Sequence, residues 1–304
     1  MMRPSLIGYL ALPALGLVLA SCGSSRDSST WEAGATTAAA LDESGKQKEA
    51  SLMSQAETAW AGRIDETQTV AAINAWKAAA ELNPGNAEAL TRLSRAYYYH
   101  SDCFLRFDEN KQAEYKAGHD TGVRVAEKAL AAQFPGFADK MRSGARIEDA
   151  LPALDSAAVP ALYWRSSNLA RWAGIESFAT LLSYKDEIRE IMAFCLNAEP
   201  TYFYYAPDRY FGAFFARAPS FSGGDMNKSR EHFEASIAAA PQYLDTRTLY
   251  AEEYAIKEAD QALFEQLLTY NLNADPNVDP AITPENICAQ KKSKQLMEDI
   301  NEFF

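Results

Sequence analysis

The sequence predicts an all-α fold, a compact α-solenoid of irregular helical hairpins. Three observations carry this. From about Ser51 onward alanine is abundant, runs of β-branched residues are scarce, and no alternating apolar–polar strand pattern occurs. Proline, glycine and asparagine clusters punctuate the chain at helix-length intervals. Small–aromatic–small triplets precede two of those prolines at one spacing, which is how two helices are made to approach closely.

Taken in order, Leu6 to Ala20 is apolar and uncharged after Arg3, and Leu19-Ala20-Ser21-Cys22 closes the run. Fifteen apolar residues interrupted by Pro13 fall short of the roughly 20 that span a bilayer, so residues 1–21 are expected to be a cleaved secretory signal. Small residues ahead of Cys22 resemble a lipobox, and cleavage there would leave Cys22 as the lipidated first residue. Gly23 follows where an aspartate would mark inner-membrane retention, so the outer membrane is the expected location in a diderm cell. Residues 22–50, rich in Ser, Thr, Gly and Ala, read as a flexible tether. Residues 51–304 read as the helical domain.

Within that domain, Asn83-Pro84-Gly85-Asn86 ends one helix and caps the next. Pro160 suits a first helical turn, and Gly223-Gly224-Asp225 reads as a turn plus N-cap. Ala240-Pro241 stops the helix that Asp225 starts. Glu258 to Leu272 reads as an amphipathic helix whose face is Ala259, Ala262, Leu263, Gln266, Leu267 and Tyr270. Counting back from Pro84 gives Trp76, Ala79 and Ala72 at the packing positions of a tetratricopeptide unit. The same count from Pro241 gives Phe233, Ser236 and Ser229, and from Pro200 it gives Met192, Cys195 and Ile188. Such pairs cannot bury their apolar faces alone and must stack.

Charge and motif content narrow the function. The chain carries 29 basic and 41 acidic side chains, a net −12, and such a surface repels nucleic acid. Lys291-Lys292-Ser293-Lys294 and Glu252-Glu253 read as solvated helix faces. The sequence contains no HExxH, GxSxG, phosphate loop or paired CxxC, so no enzyme, cofactor or metal is expected. His100, Cys103 and His119 lack zinc-finger spacing. Of the cysteines after Cys22, Cys103, Cys195 and Cys288 sit among apolar or helical residues and read as small buried hydrophobes. A disulfide between two of them stays open, the odd count leaving at least one thiol unpaired.

Tyr202 to Phe215 supplies eight aromatics in fourteen positions, more than one helix face can bury, so some must meet a cavity or partner. Candidate binding residues are therefore Tyr202, Tyr205, Pro207, Arg209, Phe211, Gly212 and Phe215, with Tyr163 and Trp164. Arg209 admits two readings: it holds helix-end carbonyls or a carboxylate, or it meets the acidic head of an amphipathic ligand.

The stretch Tyr202-Phe203-Tyr204-Tyr205-Ala206-Pro207-Asp208-Arg209-Tyr210-Phe211-Gly212, followed by Ala218-Pro219 and Gly223-Gly224-Asp225, resembles the T-component lipoproteins of TRAP transporters, the TatT family. Ala206 stands for that pattern's glycine, Asp208 for a histidine and Phe215 for a tyrosine. Asp155 to Trp164 and Gly118 to Phe137 carry the resemblance further. It implies a periplasmic, lipid-anchored, helical-repeat scaffold, assembled as a homotrimer. It implies docking of the periplasmic solute-binding protein of a TRAP transporter, and an apolar passage for a hydrophobic or amphipathic ligand. The alternative, from repeat architecture alone, is an envelope-assembly lipoprotein of outer-membrane or peptidoglycan machinery.

Overall fold

The structure, a computed structural model, describes Trp31 and residues 40–304. The signal segment, Cys22 and most of the tether lie outside these residues. The described residues form thirteen α-helices and no strand, all-α as the sequence predicts. None is long and apolar enough to cross a membrane.

Helix α1 (Glu43–Ala61) starts within the stretch read as tether, because the Asp42 carboxylate caps it by accepting from the Gly45 N–H at 2.7 Å. It pairs with α2 (Glu66–Leu82), which buries Ala72, Trp76 and Ala79 as the spacing requires. Asn86 then caps α3 (Ala87–Cys103), accepting from Ala89 N–H at 2.8 Å. Helix α4 (Gln112–Gln133) packs between α3 and α7 (Val159–Glu176). Gly122 makes that sandwich possible: a Cβ there would stand 2.5 Å from the Asn168 side chain. The short α5 (Pro135–Arg142) and α6 (Ile147–Ala150) bridge α4 to α7, and Pro160 occupies the first turn of α7.

Helix α8 (Phe178–Ala198) folds back on α7 and buries Ile188, Met192 and Cys195. Helix α9 (Tyr202–Arg217) pairs with α10 (Met226–Ala239), capped by Asp225. Gly212 meets the Phe233 ring so closely that a Cβ would lie 2.6 Å from it. The chain ends in α11 (Asp245–Tyr250), a π-helical turn over Ala251–Ala255, α12 (Gln261–Asn273) and α13 (Thr283–Glu298).

Three readings are corrected here. Helix α12 begins at Gln261 rather than Glu258, because Ala259 takes φ 53° and Asp260 is the cap. Its buried face is Phe264, Leu267, Leu268 and Asn271, while Ala262, Gln266 and Tyr270 are exposed. Glu253 and Lys292, expected in solvent, are buried in ion pairs with Arg217 and Asp102, and Glu252 reaches Arg106 at 3.0 Å. Cys103 and Cys288 form a disulfide joining α3 to α13, and Cys195 is free and buried.

The buried residues form a large core that runs from α1 to α9 and takes in Cys288 of α13, a second under α10 to α13, and a small third around Ala240, Tyr243 and Ile282. The cavity described next opens mainly on the first.

Candidate functional site

Three helix faces converge on a cavity of about 150 Å³. Each can be read as a helical stripe. Helix α7 contributes Tyr163, Trp164, Ser167, Ala170 and Arg171. Helix α8 contributes Phe178, Leu181, Leu182, Lys185 and Ile188, and α9 contributes Tyr210, Ala213, Phe214 and Arg217. Tyr98, Phe203 and Tyr243 complete the walls, with Asp245 and Glu253 behind them. Phe178, 59% exposed, and Arg217 mark the mouth, whereas Arg209, 4% exposed, lies deep.

The deep end is built on an unusual backbone. Phe203, Tyr204 and Tyr205 all take left-handed conformations, with φ of 42°, 59° and 56°. Each such residue with a Cβ costs roughly 1–2 kcal/mol, so the surroundings must impose the turn. Arg209 does much of this. Its guanidinium donates to the Tyr204 carbonyl at 3.1 Å, the Phe203 carbonyl at 3.3 Å and Thr246 Oγ1 at 3.4 Å, and lies 4.3 Å over the Tyr243 ring. Tyr204 stacks on Tyr243 at 5.5 Å and donates to Asp279 at 2.8 Å. Ser236 Oγ donates to the Tyr205 carbonyl at 3.3 Å. The turn thereby aims Phe203 at Trp164, centroids 5.0 Å apart.

Of the residues singled out from sequence, Tyr163, Trp164 and Arg209 line the cavity. Arg209 follows the first of its two readings, holding backbone carbonyls. Tyr202 lies behind the wall, its hydroxyl accepting from Trp164 Nε1 at 3.0 Å. Tyr205 packs with Ala240, Tyr243 and Ile282. Pro207 is buried, and Gly212 is buried against Phe233 in the α9–α10 contact. Phe211 and Phe215 turn to His232, with Phe215 stacked on its ring at 5.5 Å. The sequence reading therefore took the neighbouring face of α9, and missed Tyr210 and Phe214. Their spacing with Ala213 and Arg217 is the signal that would have found them. The α8 stripe carried the same signal.

Beyond the wall formed by Tyr98, Trp164, Phe203 and Tyr243 lies a chamber of about 30 Å³. Its charges are paired in a buried network. Asp102 meets Lys292, and Lys292 reaches Asp245 at 3.1 Å. Arg106 and Arg171 each approach Asp102 at 3.6 Å. Burial pushes the Asp102 carboxyl up, but Lys292, Arg171 and Arg106 together outweigh it and hold it well below the usual carboxylate range. Glu285 pairs with Arg63 at 2.6 Å and Arg95 at 2.8 Å.

The three zinc candidates are dispersed. Cys103 is in the disulfide, His100 meets Glu66 at 3.0 Å, and His119 Nδ1 meets Asn168 at 3.0 Å. Among the described residues no three His, Cys, Asp or Glu side chains converge for a metal.

A sequence profile of the family described as TRAP transporter T-component matches residues 71–304. That span contains every residue lining the cavity. The chain is also 23% identical over 240 residues to a Treponema pallidum (strain Nichols) protein described only as uncharacterized, covering 73% of this chain and 74% of that one.

Proposed function

Because the chain belongs to the TRAP transporter T-component family and is thereby associated with a TRAP-type transporter, we propose that it is the transporter's lipid-anchored periplasmic scaffold. In this reading it docks the solute-binding protein and passes or holds a hydrophobic or amphipathic ligand. The single observation that carries the ligand part is the cavity walled by Tyr163, Trp164, Phe203, Tyr210, Phe214 and Tyr243, whose lining surface is mainly apolar. Anchoring rests on Cys22 and its preceding small residues, and Gly23 after it supports the outer membrane as the site of anchoring. A homotrimer remains part of the proposal through the family resemblance.

Two experiments test it. Affinity capture from detergent-solubilised membranes should recover a solute-binding protein and a TRAP permease. Recovery of barrel-assembly or peptidoglycan machinery instead would favour the envelope-assembly alternative. Changing Cys22 to Ser should shift the protein from the membrane fraction to the soluble periplasmic fraction, and an unchanged distribution removes the anchor.

A further inference from the structure

Between Cys22 and Leu41 the chain consists of Ser, Thr, Gly, Ala and a few charged residues, and Trp31 is its one large apolar side chain. A flexible linker has no use for such a ring, which is costly to leave in water. The structure buries it. Trp31 is 6% exposed, and its ring packs edge-on against Phe137 at 5.6 Å and lies 5.9 Å from the Arg165 guanidinium. Its carbonyl accepts from Arg142 Nη1 at 3.3 Å. Ring and backbone are therefore both held.

The seat is a groove on the outer side of the large core. Helix α5 supplies Phe137, Met141 and Arg142, α6 supplies Ile147, α7 supplies Arg165, and α8 supplies Tyr184. Arg165 is itself fixed by Glu127 at 3.0 Å and Glu187 at 2.6 Å, so this wall stands without help from the ring.

The seat changes how far the tether reaches. Glu43, the first residue of α1, stands twenty-one positions after Cys22, and Trp31 stands nine. At full extension those spans reach about 70 Å and about 30 Å. A compact body of this length is about 45 Å across. A tether free up to α1 lets any side of the protein meet the membrane, whereas one held at Trp31 cannot pass round to the far side.

We propose that the groove bounded by α5, α6, α7 and α8 is the docking site of the chain's own tether, with Trp31 as its anchor residue, and that this flank faces the membrane. This rests on reading Cys22 as the lipid attachment point and specifies which flank the lipid holds down.

Two measurements test it. The first uses the mature chain with Cys22→Ser and 5-fluorotryptophan, the Trp31 signal being identified by its loss in Trp31→Phe. A soluble gadolinium chelate should broaden that signal roughly tenfold less than it broadens free fluorotryptophan; equal broadening overturns the docking. The second uses the lipidated chain in phosphatidylethanolamine–phosphatidylglycerol vesicles carrying a head-group acceptor dye. Donor dyes are placed on Lys140→Cys in α5 or Gln266→Cys in α12, both exposed positions. Labelling is selective because Cys103 and Cys288 are bonded and Cys195 is buried. Energy transfer should be about twice as efficient from position 140 as from position 266, and Trp31→Ala should erase the difference. Equal transfer from the two positions, or a difference that survives Trp31→Ala, overturns the membrane-facing flank. An intact mass showing Cys22 unmodified removes the anchor reading and that flank with it, while the fluorine signal still decides the docking.

Discussion

His119 illustrates how one residue can set a response of the whole protein. Its ring is fully buried on α4, between Tyr98 at 5.5 Å and Tyr115 at 5.0 Å, with Nδ1 on Asn168. Burial pushes its pKa down to about 4, although the Asn168 contact favours the charged form. The unfolded chain, with an ordinary histidine value of 6.5, binds the proton first as pH falls. The contribution is therefore complete above pH 6.5 and is lost as pH falls toward about 4. The difference is on the order of 3 kcal/mol. Urea unfolding at pH 7 and pH 4.5 should show this loss, and His119→Gln should flatten it. An unchanged slope in the variant would assign the acid sensitivity elsewhere. None of this is visible in the sequence, where His119 is a lone histidine in a helical stretch. Lys292 and Glu253 were hidden for the same reason, since Lys292's partner Asp102 lies 190 positions away along the chain.

Among elements, α9 departs most from what its sequence implies. Pro207 lies within the helix, and Gly212 meets the Phe233 ring of α10, where a Cβ would stand 2.6 Å from it. The left-handed turn before them did not announce itself. Aromatic side chains do not favour that conformation, and the Arg209 and Thr246 groups that support it come from outside the turn. Arg209→Lys should therefore destabilise the protein by about 1.5–3 kcal/mol, because an ammonium cannot hold two diverging carbonyls as the guanidinium does. Guanidinium chloride unfolding measures this, and a midpoint equal to wild type would show that the turn stands without Arg209. Caps and hairpin spacing were legible for α2, α3, α7, α8 and α10, where Asn86, Asp225 and the triplets act locally. The facing of α9 and α12 was not, because each helix has apolar residues on more than one side and only the neighbouring helices decide which is covered.

At the scale of the whole molecule, one covalent bond closes the large core by tying α3 to α13. The Cys103–Cys288 disulfide spans 185 positions. Reducing it should lower stability by about 2–4 kcal/mol, seen as a fall in Tm in dithiothreitol; an unmoved Tm would make the bond dispensable. Burial pushes the remaining Cys195 thiol up to about 12, so it should resist alkylation until the chain unfolds. The bond also decides how the protein carries tension. If the chain is pulled between helix α1 and the end of α13, force passes through α1 to α3, crosses from Cys103 to Cys288, and leaves through the last turns of α13. Helices α4 to α12, with the aromatic walls among them, form a slack loop off that line. A partner tugging on one end would strain the first hairpins before it stretched the aromatic cavity.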